Sequence, residues 1–106
     1  MRYKINRDKK HLQFGSDLNE SSLVAVRYSG KTVVLLYTRE WDALRNSMTN
    51  TGRLYLSSIS REFEVRNNSI VLDREFSEHL GKGIVHADSY PKGIILRTHE
   101  SVKDAA

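Results

Sequence analysis

Basic residues are concentrated at the start of the chain. The cations there are Arg2, Lys4, Arg7, Lys9 and Lys10, and the one acid among them is Asp8. Basic and acidic residues balance over the rest of the chain, so this segment carries the net charge of +4. A cluster of cations on a neutral body is typical of a nucleic-acid contact, because neutralising phosphates releases counterions. A solvated arm that aids solubility is the alternative, and charge alone leaves it open.

The first candidate contact is a polar turn, RDKKH, from Arg7 to His11. All four of its basic residues, Arg7, Lys9, Lys10 and His11, could contact phosphates. Arg7 or Lys10 could also donate to guanine O6 and N7 in a major groove. The turn therefore predicts a site for double-stranded DNA.

The second candidate contact is the turn RNNS, from Arg66 to Ser69, which is one residue shorter than the first. Arg66 offers a cation, and the amides of Asn67 and Asn68 could read adenine. Two asparagines in a tight turn also suit left-handed backbone geometry, and this second interpretation stays open.

Other chemistry has little support in the sequence. The chain has no cysteine, which excludes disulfides and thiolate zinc sites, and its four histidines lack metal-binding spacing. No nucleophile-elbow, Walker or dinucleotide glycine motif occurs, and Gly15-Ser16 is better explained by a turn than by self-processing. We therefore expect no enzyme, no metal and no cofactor.

Short strands and two helices must position the turns. A strand pattern on each side of the first turn predicts a hairpin, and Ser29-Gly30-Lys31 predicts another. One helix should begin at Thr38 as N-cap, with Trp41 as its core anchor. An exposed Trp41 that stacks on a base or contacts a partner is the alternative. The other should begin at Asp73 and end at Gly81, with Phe76 and Leu80 inside. Ser16 or Asp17 should cap a single helical turn, and Arg53 to Ser60 is ambiguous between helix and strand.

The chain also repeats itself. TVVLLYTREWDALR, from Thr32 to Arg45, returns as KGIILRTHESVKDA, from Lys92 to Ala105, at an offset of 60. Leu12 and Phe14 match Ile70 and Leu72 at an offset of 58. The pattern predicts one α+β domain made of two halves, about 1–48 and 53–106, with a breaker-rich joint between them and a terminal helix in the second half.

The segment order resembles that of the MraZ family, a branch of the AbrB-like swapped-hairpin DNA-binding proteins. The resemblance covers about the whole chain, and the segments that carry it are LLYTREWDALRNSM, RLYLSSISREFEV and SIVLDREFSEHL. It implies two tandem AbrB/MraZ-like halves around a small β-barrel-like core, with connecting helices. It also implies a homo-oligomer that contacts repeated DNA boxes through its turns. His11 and Ser69 stand where the family carries arginine.

Two functions are consistent with these features. The first is a DNA-binding transcriptional regulator. The second is a protein-interaction module on the same fold that has lost its DNA turns, with a protein partner in place of DNA. The sequence has no apolar run of about 20 residues for a membrane span and no secretory signal. We expect a cytoplasmic protein associated with the nucleoid.

Overall fold

A computed structural model describes residues 2–8, 10–15 and 18–99 of the chain. These residues form an α+β fold of antiparallel strands and three helices. The strands are β1 (Arg2–Asp8), β2 (His11–Gln13), β3 (Ser22–Arg27), β4 (Thr32–Tyr37), β5 (Ser60–Glu64), β6 (Ser69–Val71), β7 (Ile84–Tyr90) and β8 (Gly93–His99); the helices are α1 (Thr38–Asn46), α2 (Asn50–Ser58) and α3 (Arg74–Leu80). No described helix is long and apolar enough to cross a membrane.

The strands are ordered β5-β3-β4-β8-β7-β1-β2-β6, and every ladder is antiparallel. β1 belongs to two ladders: its first residues pair with β7, and its last three pair with β2. The outermost strands are β5 and β6, and Arg66, two residues after β5, forms an isolated bridge with Ser69 of β6. The β-barrel-like core expected from the family resemblance is therefore not a closed barrel in the described part of the chain, because β5 and β6 form no further ladder.

The core lies on one face of the strands and is covered by α3. Alternate residues of a strand point to the same face. The core cluster takes alternate residues from several strands, such as Val33 and Leu35 of β4 and Ile94 and Leu96 of β8. Phe76 and Leu80 of α3 are fully buried against it, and the Phe76 ring packs edge-on against Phe63 with centroids 5.4 Å apart. The Asp73 side chain accepts a hydrogen bond from Phe76 N at 2.9 Å, and Gly81 ends the helix with φ +78°. The predicted boundaries of α3 are confirmed.

The pairing has a two-fold pattern. The β1–β2 turn corresponds to the β5–β6 turn, the β1–β7 ladder to the β5–β3 ladder, and the β3–β4 hairpin to the β7–β8 hairpin. The β2–β6 and β4–β8 ladders join the two halves, with Leu12 opposite Ile70 and Val34 opposite Ile95 at the axis. Hydrogen bonds outside the ladders obey the same pattern, since Tyr37 N donates to Lys92 O and Thr98 N donates to Lys31 O, both at 3.2 Å.

The predicted offset of 60 is wrong by one residue in the central strands. Val33 and Leu35 are buried in β4, and their equivalents by burial in β8 are Ile94 and Leu96, which gives an offset of 61. An offset of 60 would match buried Leu35 with half-buried Ile95. In a strand, a shift of one residue exchanges the two faces of the sheet.

Two expectations about α1 are also wrong. Tyr37, not Thr38, is the N-cap, and it makes no side-chain capping bond. Trp41 is only half-buried and does not belong to the core. The physical reason is the side of the sheet that α1 occupies: it contacts β3 and β4, where Val24 and Val26 are buried outside the core cluster. Val24 and Val26 thus form a second, smaller group of buried side chains on these two strands' side of α1.

The structure tests most of the remaining predictions about strands and helices. Both predicted hairpins are present, and the joint between the halves is shorter than expected because α2 already begins at Asn50. The ambiguous stretch after Gly52 is helical as far as Ser58 and then enters β5. The predicted helical turn at Ser16 or Asp17 and the predicted terminal helix lie outside the described residues.

Candidate nucleic-acid interface

The first predicted turn is a two-residue connection between β1 and β2, closed by the pairing of Asp8 with His11. Lys10 is exposed, and its carbonyl accepts a hydrogen bond from Leu72 N at 2.8 Å, which fixes the turn beside the end of β6. His11 is half-buried on β2 opposite Val71. Lys9 lies outside the described residues.

The second predicted turn has the same length as the first, so the expectation that it is one residue shorter is wrong. Arg66 and Ser69 exchange backbone hydrogen bonds of 2.9 and 3.0 Å around Asn67 and Asn68. Both asparagines have positive φ, 52° and 59°, as a two-residue hairpin turn of the primed type requires. Their role in left-handed backbone geometry, which the sequence left open, is confirmed.

The two turns lie at opposite ends of the β2–β6 pair. Lys10 lies opposite Leu72, and Asn68 lies opposite Phe14, whose N–H donates to Asn68 O at 2.9 Å. Phe14 is four residue steps from Lys10 along the strand, which places the two turns about 13 Å apart at about 3.3 Å per residue. The β2–β6 pair is thus a narrow antiparallel ribbon with one turn at each end.

The Asn68 amide contributes to the fold. Its Oδ1 accepts a hydrogen bond from Leu18 N at 2.9 Å and so ties the segment after the first hairpin to the second turn. Gln13 Nε2 donates to the carbonyls of Asn67 and Asn68. A base contact by Asn68 would compete with these bonds, whereas the Asn67 side chain is exposed.

We predict different costs for two glycine substitutions in this turn. Asn67→Gly and Asn68→Gly both keep the positive φ, but only Asn68→Gly removes the bond to Leu18 N. Asn68→Gly should therefore be less stable than Asn67→Gly by about 1 kcal/mol in urea unfolding. Equal stabilities would show that the Asn68 amide contributes nothing beyond the backbone geometry.

The charge of the second turn is balanced locally. Arg66 Nε is bonded to the carboxylate of Glu64, and both side chains are exposed. Glu62, on the same strand, accepts a hydrogen bond from Ser22 Oγ at 2.6 Å. At the second turn, the charge of Arg66 is therefore partly neutralised by the Glu64 carboxylate.

Arg7 has a different position from the one expected of a DNA-reading residue. Its guanidinium donates to Gly81 O at 2.7 Å, to Ser77 Oγ at 3.2 Å and to Ser77 O at 3.4 Å, across the carboxyl end of α3. The side chain is half-buried, and this desolvation lowers the pKa of Arg7 from its ordinary value. Arg7 thus attaches β1 to α3 and compensates the partial negative charge of the helix end.

A cleft of about 410 Å³ lies beside Arg7. The described residues that line it are Arg7, Lys10, Ser77, Lys82 and Gly83. Three of these residues are cations, and none is an acid. Lys82, which the sequence reasoning missed, is exposed between two glycines of positive φ, Gly81 at 78° and Gly83 at 119°. The sequence contains one signal for Lys82: it stands between two glycines in the loop where the offset between the two halves increases.

The described residues at the equivalent place in the first half differ in charge from those of the basic cleft. The residues related to Arg7 and Lys10 by the two-fold pattern are Val65 and Asn68. Leu12 and Ile70 are equivalent residues of the two halves and are 58 positions apart, whereas the next equivalent pair, Leu23 and Val85, is 62 positions apart. The segment from Ile70 to Val85 is therefore four residues longer than the segment from Leu12 to Leu23. α3 and the loop that carries Lys82 lie between these points in the second half. Within the described residues, the two halves are similar in pairing and different in charge.

The described residues contain no group of three histidine, aspartate or glutamate side chains that could hold a metal ion. In comparisons with known proteins, no family model matches the chain and no curated protein matches it.

Proposed function

We propose that the protein is a double-stranded-DNA-binding transcriptional regulator of the MraZ/AbrB type. The observation that carries the proposal is the exposed basic surface at the first turn, where Lys10 and Lys82 lie on one cleft. The two-fold pairing supports an origin as two tandem halves, about 1–48 and 53–106. A cytoplasmic location at the nucleoid belongs to the same proposal.

The residues of the two turns have unequal roles in this proposal. Lys9, Lys10 and His11 contact the DNA at the first turn, mainly through phosphates. Arg7 holds that turn against α3 and adds its charge to the surface. Arg66 and Asn67 provide a weaker contact at the second turn.

A single chain offers few contacts, so useful affinity requires several linked copies. We propose a homo-oligomer in which each subunit engages one box of a repeated DNA site. Linking weak sites raises the effective concentration of the second contact, and this raises the overall affinity without new interactions.

The first test is a DNA titration at two salt concentrations, with a direct-repeat duplex and a scrambled duplex of equal length. We expect a preference for the repeats that persists at the higher salt. The variant Lys9→Ala/Lys10→Ala should bind more weakly, and its log–log salt slope should be shallower by about 1.8, or about 0.9 for each lost phosphate contact.

Arg45→Ala/Lys92→Ala is the matched control, because it removes two charges from exposed positions outside the β1–β2 and β5–β6 turns. Its salt slope should remain close to that of the wild type. If both double variants behave alike, or if the two duplexes bind equally and lose all binding with salt, the assigned DNA site is wrong.

One observation favours the alternative, a protein-interaction module. The helices α1 and α2 have no buried residue, and they expose Leu44, Leu54 and Tyr55, with Leu54 74% and Tyr55 65% accessible. Large exposed apolar side chains on two consecutive helices are consistent with a protein interface. A module of this kind would bind both duplexes equally, and Leu54→Glu would disrupt its complex with the protein partner.

A further inference from the structure

The Arg7 contacts change the electrostatic character of the cleft wall. The carboxyl end of a helix carries unpaired carbonyls and a partial negative charge, which repel anions. Here the guanidinium covers the carbonyls of Ser77 and Gly81. An arginine keeps its positive charge at neutral pH, so this wall becomes favourable for an anion.

The loop on the other side of the cleft allows a ligand to approach the backbone. Gly81 and Gly83 both adopt the left-handed region, which residues with side chains rarely occupy. Gly83 lines the cleft itself and has no side chain to cover its main chain there. Lys82 stands between the two glycines, and Lys10 approaches from the β1–β2 turn.

We propose that this cleft is a phosphate-binding site in which Lys10 and Lys82 contact the phosphate oxygens and Arg7 supplies a fixed positive wall. A lysine binds phosphate as a point charge with three donors, which suits an open cleft. The volume of about 410 Å³ accommodates a phosphate group with an attached sugar. The phosphate belongs either to the DNA backbone, in which case the site rests on the proposed function, or to a free phosphorylated molecule.

The test uses the full chain with two probes, inorganic pyrophosphate and the direct-repeat duplex. Pyrophosphate should produce saturable shifts of the backbone amide signals of Lys10, Lys82 and Gly83 in nitrogen-15 NMR spectra. Lys82→Ala should abolish the saturable shifts at Lys10 and Gly83. Lys92→Ala should leave them unchanged, since it removes the same charge from an exposed position outside the cleft.

The duplex distinguishes the two sources of phosphate. If the DNA backbone occupies the site, Lys82→Ala should weaken duplex binding by about 3- to 10-fold at low salt and make the log–log salt slope shallower by about 0.9. Lys92→Ala should have a smaller effect. If pyrophosphate binds in a Lys82-dependent manner but duplex affinity does not depend on Lys82, a free phosphorylated molecule is the ligand.

The phosphate site and the proposed function can fail separately. Saturable pyrophosphate binding by a protein that shows no preference among duplexes would support the site and contradict the regulator. Repeat-specific duplex binding without pyrophosphate shifts, and unaffected by Lys82→Ala, would overturn the site and leave the regulator intact. Circular dichroism of both variants checks that the fold is retained.

Discussion

Gly93→Ala should lower the free energy of unfolding by about 3 kcal/mol, the upper part of the range for overpacked positions. An added Cβ would lie 2.0 Å from Leu35 O and 3.0 Å from Leu35 C, and these are backbone atoms. Gly93 pairs with both Leu36 of β4 and Tyr90 of β7. A shift that relieves the clash would therefore disturb two ladders at the centre of the sheet.

Urea unfolding of Gly93→Ala and Gly30→Ala measures this effect. Gly30 lies in the β3–β4 turn, and a Cβ built there has no atom within 4 Å. Gly30→Ala should unfold close to the wild-type midpoint. Coincident unfolding curves for the two variants would contradict the close packing of β4 against β8.

Arg7→Ala should be destabilised by about 2 kcal/mol. The substitution removes charge-assisted hydrogen bonds to the carboxyl end of α3 and leaves the half-buried carbonyls of Ser77 and Gly81 without this donor. Lys4→Ala is the control, because Lys4 is an exposed cation on the same strand and its loss should change stability by no more than about 0.5 kcal/mol. Thermal or urea unfolding provides the measurement.

DNA binding separates the role of Arg7 from that of Lys10. Lys10→Ala should weaken DNA binding with little change in stability, since Lys10 is exposed. Arg7→Ala should mainly lower the stability of the fold, with a smaller effect on DNA binding. A variant Arg7→Ala that is as stable as the wild type and has lost DNA binding would restore Arg7 to the direct DNA contact that the sequence suggested.

Local sequence patterns predicted the elements whose determinants are local. Asp73, Phe76 and Leu80 lie within eight residues of one another, so capping and helical spacing were enough to place α3. Asn67 and Asn68 likewise indicate a tight turn by themselves. For the same reason the alternating strands around both turns were recognised.

The errors concern properties that depend on distant partners. Trp41 has the spacing of a core residue, but the side of the sheet that α1 covers is decided by the fold as a whole. The apolar run from Val33 to Leu36 does not itself indicate which alternate residues face the core, and this produced the wrong offset. Arg7 bonds to Gly81, 74 residues away, so its charge alone suggested a DNA contact. Lys82 became a candidate only when the fold brought it beside Lys10.

The contrast between a two-fold backbone and a one-sided charge distribution gives the chain a polarity. A dimer of identical halves presents the same surface after a half-turn and reads inverted repeats. This chain has the pairing of such a dimer, but after the same half-turn Lys10 is replaced by Asn68 and Arg7 by Val65. On the proposed function, each chain would bind DNA in one orientation only. Inverting one box of a repeated site should then be as harmful as deleting it.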